Sequence, residues 1–358
     1  MSDMQATLLD MVQRLFGSFD YSALADEQCA SAAWEEMETL GLSRLMLSEA
    51  NGGFDGQWQD AVLVSQQLGR HAVPLPLVET ILARHVLQQG QLPQPAKGTL
   101  AIAHCAPDDL QADTAYPRLT AQIKNIGWQN PRQLVLSGQW QQMDFIATVD
   151  AGETENFPCY RDTAGDQRID LAFNHVAVRD FRWVESPGIN LHQLGALLRT
   201  AQISGALEKL LELSLQYVSE RSQFGRTISK FQVIQHKLSQ LAEQCAAVDC
   251  AIRAAAVALD HYDTPQNGVF EIACAKLRAN LAIAEATAIA HQLHGAMGFT
   301  REHELHRYTT RLFAWRSDFG NDRYWSTAIG KLVVSSPHNL WQLITERGDR
   351  QMLTAARS

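Results

Sequence analysis

No Cys-x-x-Cys spacing occurs among Cys29, Cys105, Cys159, Cys245, Cys250 and Cys274. That removes the usual structural-zinc and dithiol signatures. No cysteine stands in a glycine-rich or cationic setting that would lower its pKa, so the thiols read as small buried apolar residues of a reducing compartment. Basic charge is also scarce: 30 Lys and Arg face 39 Asp and Glu, a formal charge of −9 with no long basic run. A phosphate-backbone partner has no footprint here, which excludes nucleic acid. Long apolar runs are missing as well. Even "LAIAEATAIAHQLHGAMGF" is interrupted by Glu285, His291 and His294, short of the roughly 18 uncharged residues of a membrane span. The opening "MSDMQATLLDMVQRLF" has two aspartates and no basic stretch before its apolar residues, unlike a secretory signal, and the expected location is the cytoplasm.

What is present is bulk. The 358 residues are 46% hydrophobic, enough for more than one core. Over 1–96 apolar residues recur at three and four, as in "LLDMVQRLF", "AAWEEMETLGL" and "DAVLVSQQLGRHA", and Pro74 and Pro76 fix an extended entry to a further short helix. Over 97–187 the period changes to short runs such as "TLAIAHC", "QLVLSGQW" and "HVAVRDFRWV", separated by Asp, Gly, Asn and Pro. These read as antiparallel strands of a small sandwich or barrel. Over 188–358 the helical period returns in long segments, near 191–219, 231–262, 267–293 and 323–347, which predicts an antiparallel four-helix bundle. The fold class is α+β, mostly α.

Two stretches interrupt that bundle. "SERSQFGRTISKFQVIQH" places Arg221, Gln223, Phe224 and Arg226 on a helix connection. A guanidinium offers paired donors to phosphate oxygens and a ring can flank a planar group, although a plain helix junction with Phe224 buried in the bundle accounts for the same residues. "HQLHGAMGFTREHELHR" ends a long helix at Gly295 and Gly298, with Gln292 and His294 just before. Glycine there permits close backbone approach, or simply a C-cap followed by a new N-cap at Thr300. His236, His294 and His306 show no metal-like spacing with carboxylates, and Trp315 and Trp325 read as core or interface anchors.

Taken together, "YVSERSQFGRTISKFQVIQHKLSQL", "AIAHQLHGAMGFTREHELHRYTTRLF" and the N-terminal "AAWEEMETLGLSRLMLSEANGGFDGQWQDAVLVSQQLGRHAVPLPLVET" resemble the acyl-CoA dehydrogenase family over most of the chain, least in the strand block. The resemblance implies a helical domain, a β domain and a helical bundle, with FAD between the last two. It implies that Arg221, Gln223, Phe224, Gln292 and Gly295 reach the adenosine diphosphate half of FAD held by a neighbouring subunit. It also implies an acyl-CoA substrate and electron-transfer flavoprotein as acceptor.

That family removes an α-proton with a carboxylate base while a β-hydride goes to flavin. One family base position falls here on Phe319 and the other, about seven turns before Arg221, on Gly195. Neither accepts a proton. Asp318 is the remaining candidate, against a plain reading as a surface Asp at a helix end. The family's Trp-Ile-Thr-Asn stretch, which lines the flavin ring, has no counterpart in "GQWQQMDFIATVD". Two expectations follow. The chain is either the catalytically incomplete partner of a homologous subunit, similar in its shortness and missing base to subunits of heteromeric enzymes of steroid side-chain breakdown, or an independent dehydrogenase using Asp318. A family-related flavin monooxygenase is a third reading.

Overall fold

The computed structural model describes residues 2–105, 110–112, 117–127, 131–140, 142–153, 155–156, 159–184, 190–261, 268–336 and 340–345. The N-terminal helices are α1 (Asp3–Ser18), α2 (Glu27–Thr39), α3 (Trp58–Arg70) and α4 (Leu77–Gln89). Ser2 and Gln5 close a capping box at the start of α1, and Asp26 accepts from the amides of Gln28 and Cys29 at the start of α2. Val12, Phe16, Met37, Leu68 and Leu82 are fully buried where these helices meet.

The strand block is β1 (Leu100–Cys105), β2 (Leu110–Ala112), β3 (Pro117–Gly127), β4 (Gln133–Trp140), β5 (Met143–Asp150), β6 (Glu155–Asn156), β7 (Tyr160–Arg161), β8 (Gln167–Ala177) and β9 (Arg179–Val184). It forms a sheet of order β1-β4-β5-β9 and a second of order β2-β3-β8-β6, with β7 also on β8. All described pairs are antiparallel except β1 with β4, which run parallel. The antiparallel expectation is corrected at that one edge. Phe145, Leu136, Leu171 and Phe173 fill the space between the sheets.

The bundle follows with α5 (Leu191–Glu220), a small hairpin of β10 (Ser222–Gln223) and β11 (Arg226–Thr227), α6 (Gln232–His261), α7 (Val269–His294), α8 (Leu305–Arg316), α9 (Asp322–Ser335) and α10 (Leu340–Thr345). Leu207, Ile203, Leu241, Val248, Ile283 and Leu312 are buried between them. The chain departs from the sequence reading in three places. A helix over Leu305–Arg316 begins after a 3-10 turn rather than at Thr300. The last predicted helix ends at Ser335, because Ser336 stands before Pro337 and turns extended. Of the cysteines only Cys105 is buried; Cys29, Cys159 and Cys250 are exposed.

The N-terminal helices are built into the bundle. The amides of Trp58 and Gln59, at the start of α3, donate to the carboxylate of Asp260 near the end of α6 at 2.7 and 3.1 Å. Asp260 thus supplies a helix cap from the far end of the chain. Farther along α3, Gly69 lies against the backbone of Gln202 and Gly205 of α5 against that of Gln66, so closely that a Cβ on either glycine would overlap the facing carbonyl. Only glycine lets these two axes cross at that distance. None of the described helices is long and apolar enough to cross a membrane.

Candidate functional site

The two interruptions of the bundle meet at one end of it, because α5 and α7 run the same way and stop at the same level. Tyr217, in the last turn of α5, stacks on His294 at 4.6 Å between ring centroids, and His303 meets His294 edge-on at 4.7 Å. The two segments thus start from adjacent helix ends, with Arg221 and Gln223 following Tyr217 at the end of α5 and Gln292 and Gly295 flanking His294 at the end of α7. Gly295 caps α7 at φ 58°, its amide donating to the carbonyl of His291. Between β10 and β11, Phe224 and Gly225 both have positive φ, 53° and 77°, which makes a two-residue type I′ turn.

Phe224 is 89% exposed, so the reading of this ring as a buried junction residue is wrong. A short hairpin offers no interior, and its turn aims the ring outward. Arg221, Gln223, Gln292 and Gly295 are exposed too. Among the described residues, the guanidinium of Arg221 has no hydrogen-bond or ion-pair partner. A free guanidinium, an amide and an outward ring suit the phosphates and planar base of a nucleotide, while Gly295, with open space where a Cβ would stand, leaves room for a ligand to approach.

A second feature lies between the strand block and the bundle: a cavity of about 380 Å³. β1 and the bulged part of β3 form one wall, and the start of α5 with the α8–α9 link forms the other. Its floor is ionic. The Arg199 guanidinium, one turn after Gly195 on α5, donates to Glu79 of α4 at 2.8 Å, and its Nε lies 3.2 Å from Asp318. Arg168 of β8 donates to the same Asp318 oxygen at 3.2 Å and to Asp162 at 2.8 Å, while Asn125 donates to the other Asp318 oxygen at 2.9 Å. Burial works against the charge on Arg168, yet Asp318, Asp162 and Glu79 more than offset it and raise its pKa.

Asp318 is 5% exposed, which corrects its reading as a surface residue. The link that carries it turns inward, since Phe319 has φ 53° and Gly320 φ 102°. A bulky side chain in that region is strained and needs support from its surroundings. The Phe319 carbonyl accepts from the indole of the buried Trp325 at 2.9 Å. Its ring fills the space over Gly195, where a Cβ would overlap it, and the Arg199 guanidinium sits 5.8 Å from the ring centre. The two positions at which the family resemblance looks for a base are therefore side by side, occupied by a ring and by the hole that receives it.

Sequence reasoning missed Arg199, Glu79 and Arg168. The available signal was Arg199 itself, a lone charge in the apolar run "LGALLRTAQISGAL", which a buried helix tolerates only with a partner. The β4–β5 connection also explains a missing motif. Trp140 pairs directly with Met143, so the hairpin has no length for a Trp-Ile-Thr-Asn-like segment.

His192, in the first turn of α5, lines the same cavity and packs against Phe319, Tyr324 and Trp325. Burial, with smaller contributions from His104 and Lys276, pushes its pKa down to about 4. Between pH 6.5 and about 4 the unfolded chain takes up a proton there that the folded chain refuses, so stability falls as the pH drops. His192→Phe should flatten the decline of unfolding free energy with pH by the share of one proton; denaturant titrations at pH 7, 6 and 5 measure it. An unchanged slope would mean that His192 titrates normally.

Comparison with known proteins gives a consistent result. Residues 192–322 match the family model described as acyl-CoA dehydrogenase, C-terminal domain. The chain is 31% identical over 280 residues to "Acyl-CoA dehydrogenase IpdE2" of Mycobacterium tuberculosis, covering 76% of this chain and 77% of that protein. In fold it is similar to a chain of the ChsE4-ChsE5 complex from Mycobacterium tuberculosis, with a TM-score of 0.82 at 18% identity over 94% of this chain and 99% of the other. It is likewise similar to the Tcur3481-Tcur3483 steroid ACAD G363A variant, with a TM-score of 0.81 at 20% identity over 93% and 98%.

Proposed function

Because this chain belongs to the acyl-CoA dehydrogenase family, we propose that it serves FAD-dependent α,β-dehydrogenation of an acyl-CoA as the incomplete subunit of a hetero-oligomer. In this reading it lends Arg221, Gln223, Phe224, Gln292 and Gly295 to the adenosine diphosphate half of an FAD whose ring lies in a homologous partner. The observation that carries the proposal is the contact of Phe319 with Gly195. It fills the base position from both sides with groups that accept no proton.

Only part of the cofactor fits this chain. The outward hairpin, with the Arg221 guanidinium, suits its phosphates, and Gly295 leaves room beside them. The cleft does not suit its ring: its floor is ionic and Phe319 closes the bundle side. Nor does the floor suit an acyl chain, because methylenes laid on Arg199, Asp318 and Arg168 would strip water from charges without replacing it. FAD accepts the β-hydride in the family reaction. The part of this chain would be to bind and orient the dinucleotide across the subunit contact.

The reading of Asp318 as a base has less support. Its two oxygens are taken by Asn125, Arg168 and Arg199, and a proton acceptor needs a free lone pair aimed at the substrate. A subunit assembly also agrees with the ChsE4-ChsE5 neighbour, itself a complex. Electron-transfer flavoprotein would reoxidise the assembly, and the cytoplasm would house it.

The test has two parts. Purified alone, the chain should carry little flavin, quantified after denaturation, and should not reduce an electron acceptor with acyl-CoA. Co-purified with its homologous partner, it should yield a yellow complex in which Arg221→Ala weakens FAD retention on the order of tenfold or more, the scale of a charge-assisted contact. Stoichiometric flavin that bleaches with acyl-CoA on the isolated chain would overturn the proposal.

A further inference from the structure

We propose that Arg226 is a positioning residue for this nucleotide clasp and acts through Phe231. The inference rests on the clasp reading above and concerns what holds the hairpin in shape. The hairpin needs such a support. It has only two residue pairs, Ser222 with Thr227 and Gln223 with Arg226, and an isolated ribbon that short is marginal in water. Its turn adds the strain of Phe224 at φ 53°, a conformation that a bulky residue avoids.

Phe231 is the fixed point beneath it. The residue follows the 3-10 turn Ile228–Lys230 and directly precedes α6, and its amide donates to Ile228. The Arg226 guanidinium carbon lies 4.2 Å from the centre of the Phe231 ring, well inside cation–π range. The Phe224 ring meets the same Phe231 ring edge-on, at 6.2 Å and 87°. One half-buried aromatic thus carries both the cation of β11 and the ring of the turn. The other tie is backbone: the Ile228 amide donates to the Arg221 carbonyl at 2.8 Å. Arg226 is exposed, so it contributes little to the bundle core, and its contact with Phe231 fixes the direction in which Arg221, Gln223 and Phe224 point.

The experiment uses the co-purified complex, stripped of flavin and titrated with FAD, and reads the dissociation constant from flavin fluorescence and turnover at saturating FAD separately. Arg226→Ala should raise the FAD dissociation constant roughly three- to tenfold, the range of a partly exposed cation–π contact, with turnover at saturation and the melting temperature unchanged. Arg226→Lys should restore most of the affinity. Phe231→Leu should weaken binding at least as much, since it also removes the edge contact with Phe224, and adding Arg226→Ala to it should weaken binding no further, since the cation–π contact is already gone. Additive losses, or Phe231→Leu binding FAD normally while Arg226→Ala does not, would mean that Arg226 touches the nucleotide itself and would overturn the inference. Normal affinity in Arg226→Ala beside weakened affinity in Arg221→Ala would also overturn it while leaving the clasp intact. Normal affinity in both would remove the clasp reading and this inference with it.

Discussion

Replacing Arg199 with methionine should lower the unfolding free energy by about 3–5 kcal/mol, the usual cost of breaking a buried ion pair from one side. The side chain is buried, 6% exposed, and its guanidinium stands between Glu79 and Asp318. Methionine fills a similar volume, so the loss would come from charge rather than from a cavity. Glu79 would keep the longer-range attraction of Arg168, and Asp318 would lose one of its two paired guanidinium groups. Adding Glu79→Leu should recover part of the loss, because an apolar pair of similar size avoids an unpaired buried carboxylate. Urea unfolding of the three chains measures both effects. A loss below about 1 kcal/mol for Arg199→Met, the level of an exposed pair, would show that water reaches the cluster and that the floor of the cleft is solvated.

Asp318→Asn separates the two functional readings most widely. As an ion-pair anchor, Asp318 should leave turnover of the co-purified complex within about twofold after the change to Asn. Stability should still fall by about 1–3 kcal/mol, since Arg168 and Arg199 lose a charged acceptor and the amide presents donors to them instead. As a base, the same substitution would cost several orders of magnitude in turnover, as loss of a general base in a covalent-bond-breaking step does. Turnover normalised to folded complex, with a melting curve on the same sample, decides between them. Abolished turnover with an unchanged melting temperature would sink the anchor assignment.

Much of the architecture was legible in the residues. The switch from a period near 3.6 to short β-rich runs and back marks where helices give way to strands, since burial on one face of each element imposes that spacing. The parallel pairing of β1 with β4 was not legible: nothing in "LAIAHC" or "QLVLSGQW" specifies the direction of its neighbour. The hairpin residues stood out by type, but exposure of Phe224 follows from the positive φ of its turn, which a Phe does not announce. Asp318 illustrates the larger gap. Its environment is assembled from Arg168, 150 residues away, and from Asn125, 193 residues away. Such distant contacts leave no local pattern, so a charged residue two places before a glycine looks like surface until the chain is folded. Arg199 left the one usable trace, a charge inside an apolar helix.

The cap that Asp260 places on α3 has a consequence for how the chain is made. Trp58 and Asp260 are separated by 202 positions, and ribosomes add about 5–20 residues per second. For roughly 10–40 s of synthesis the start of α3 therefore waits with the Trp58 and Gln59 amides uncapped by Asp260, and the face that carries Gly69 waits for α5. The first helices to leave the ribosome are among the last to be finished, and a nascent chain halted before α6 would present a sticky apolar surface to chaperones rather than a completed domain.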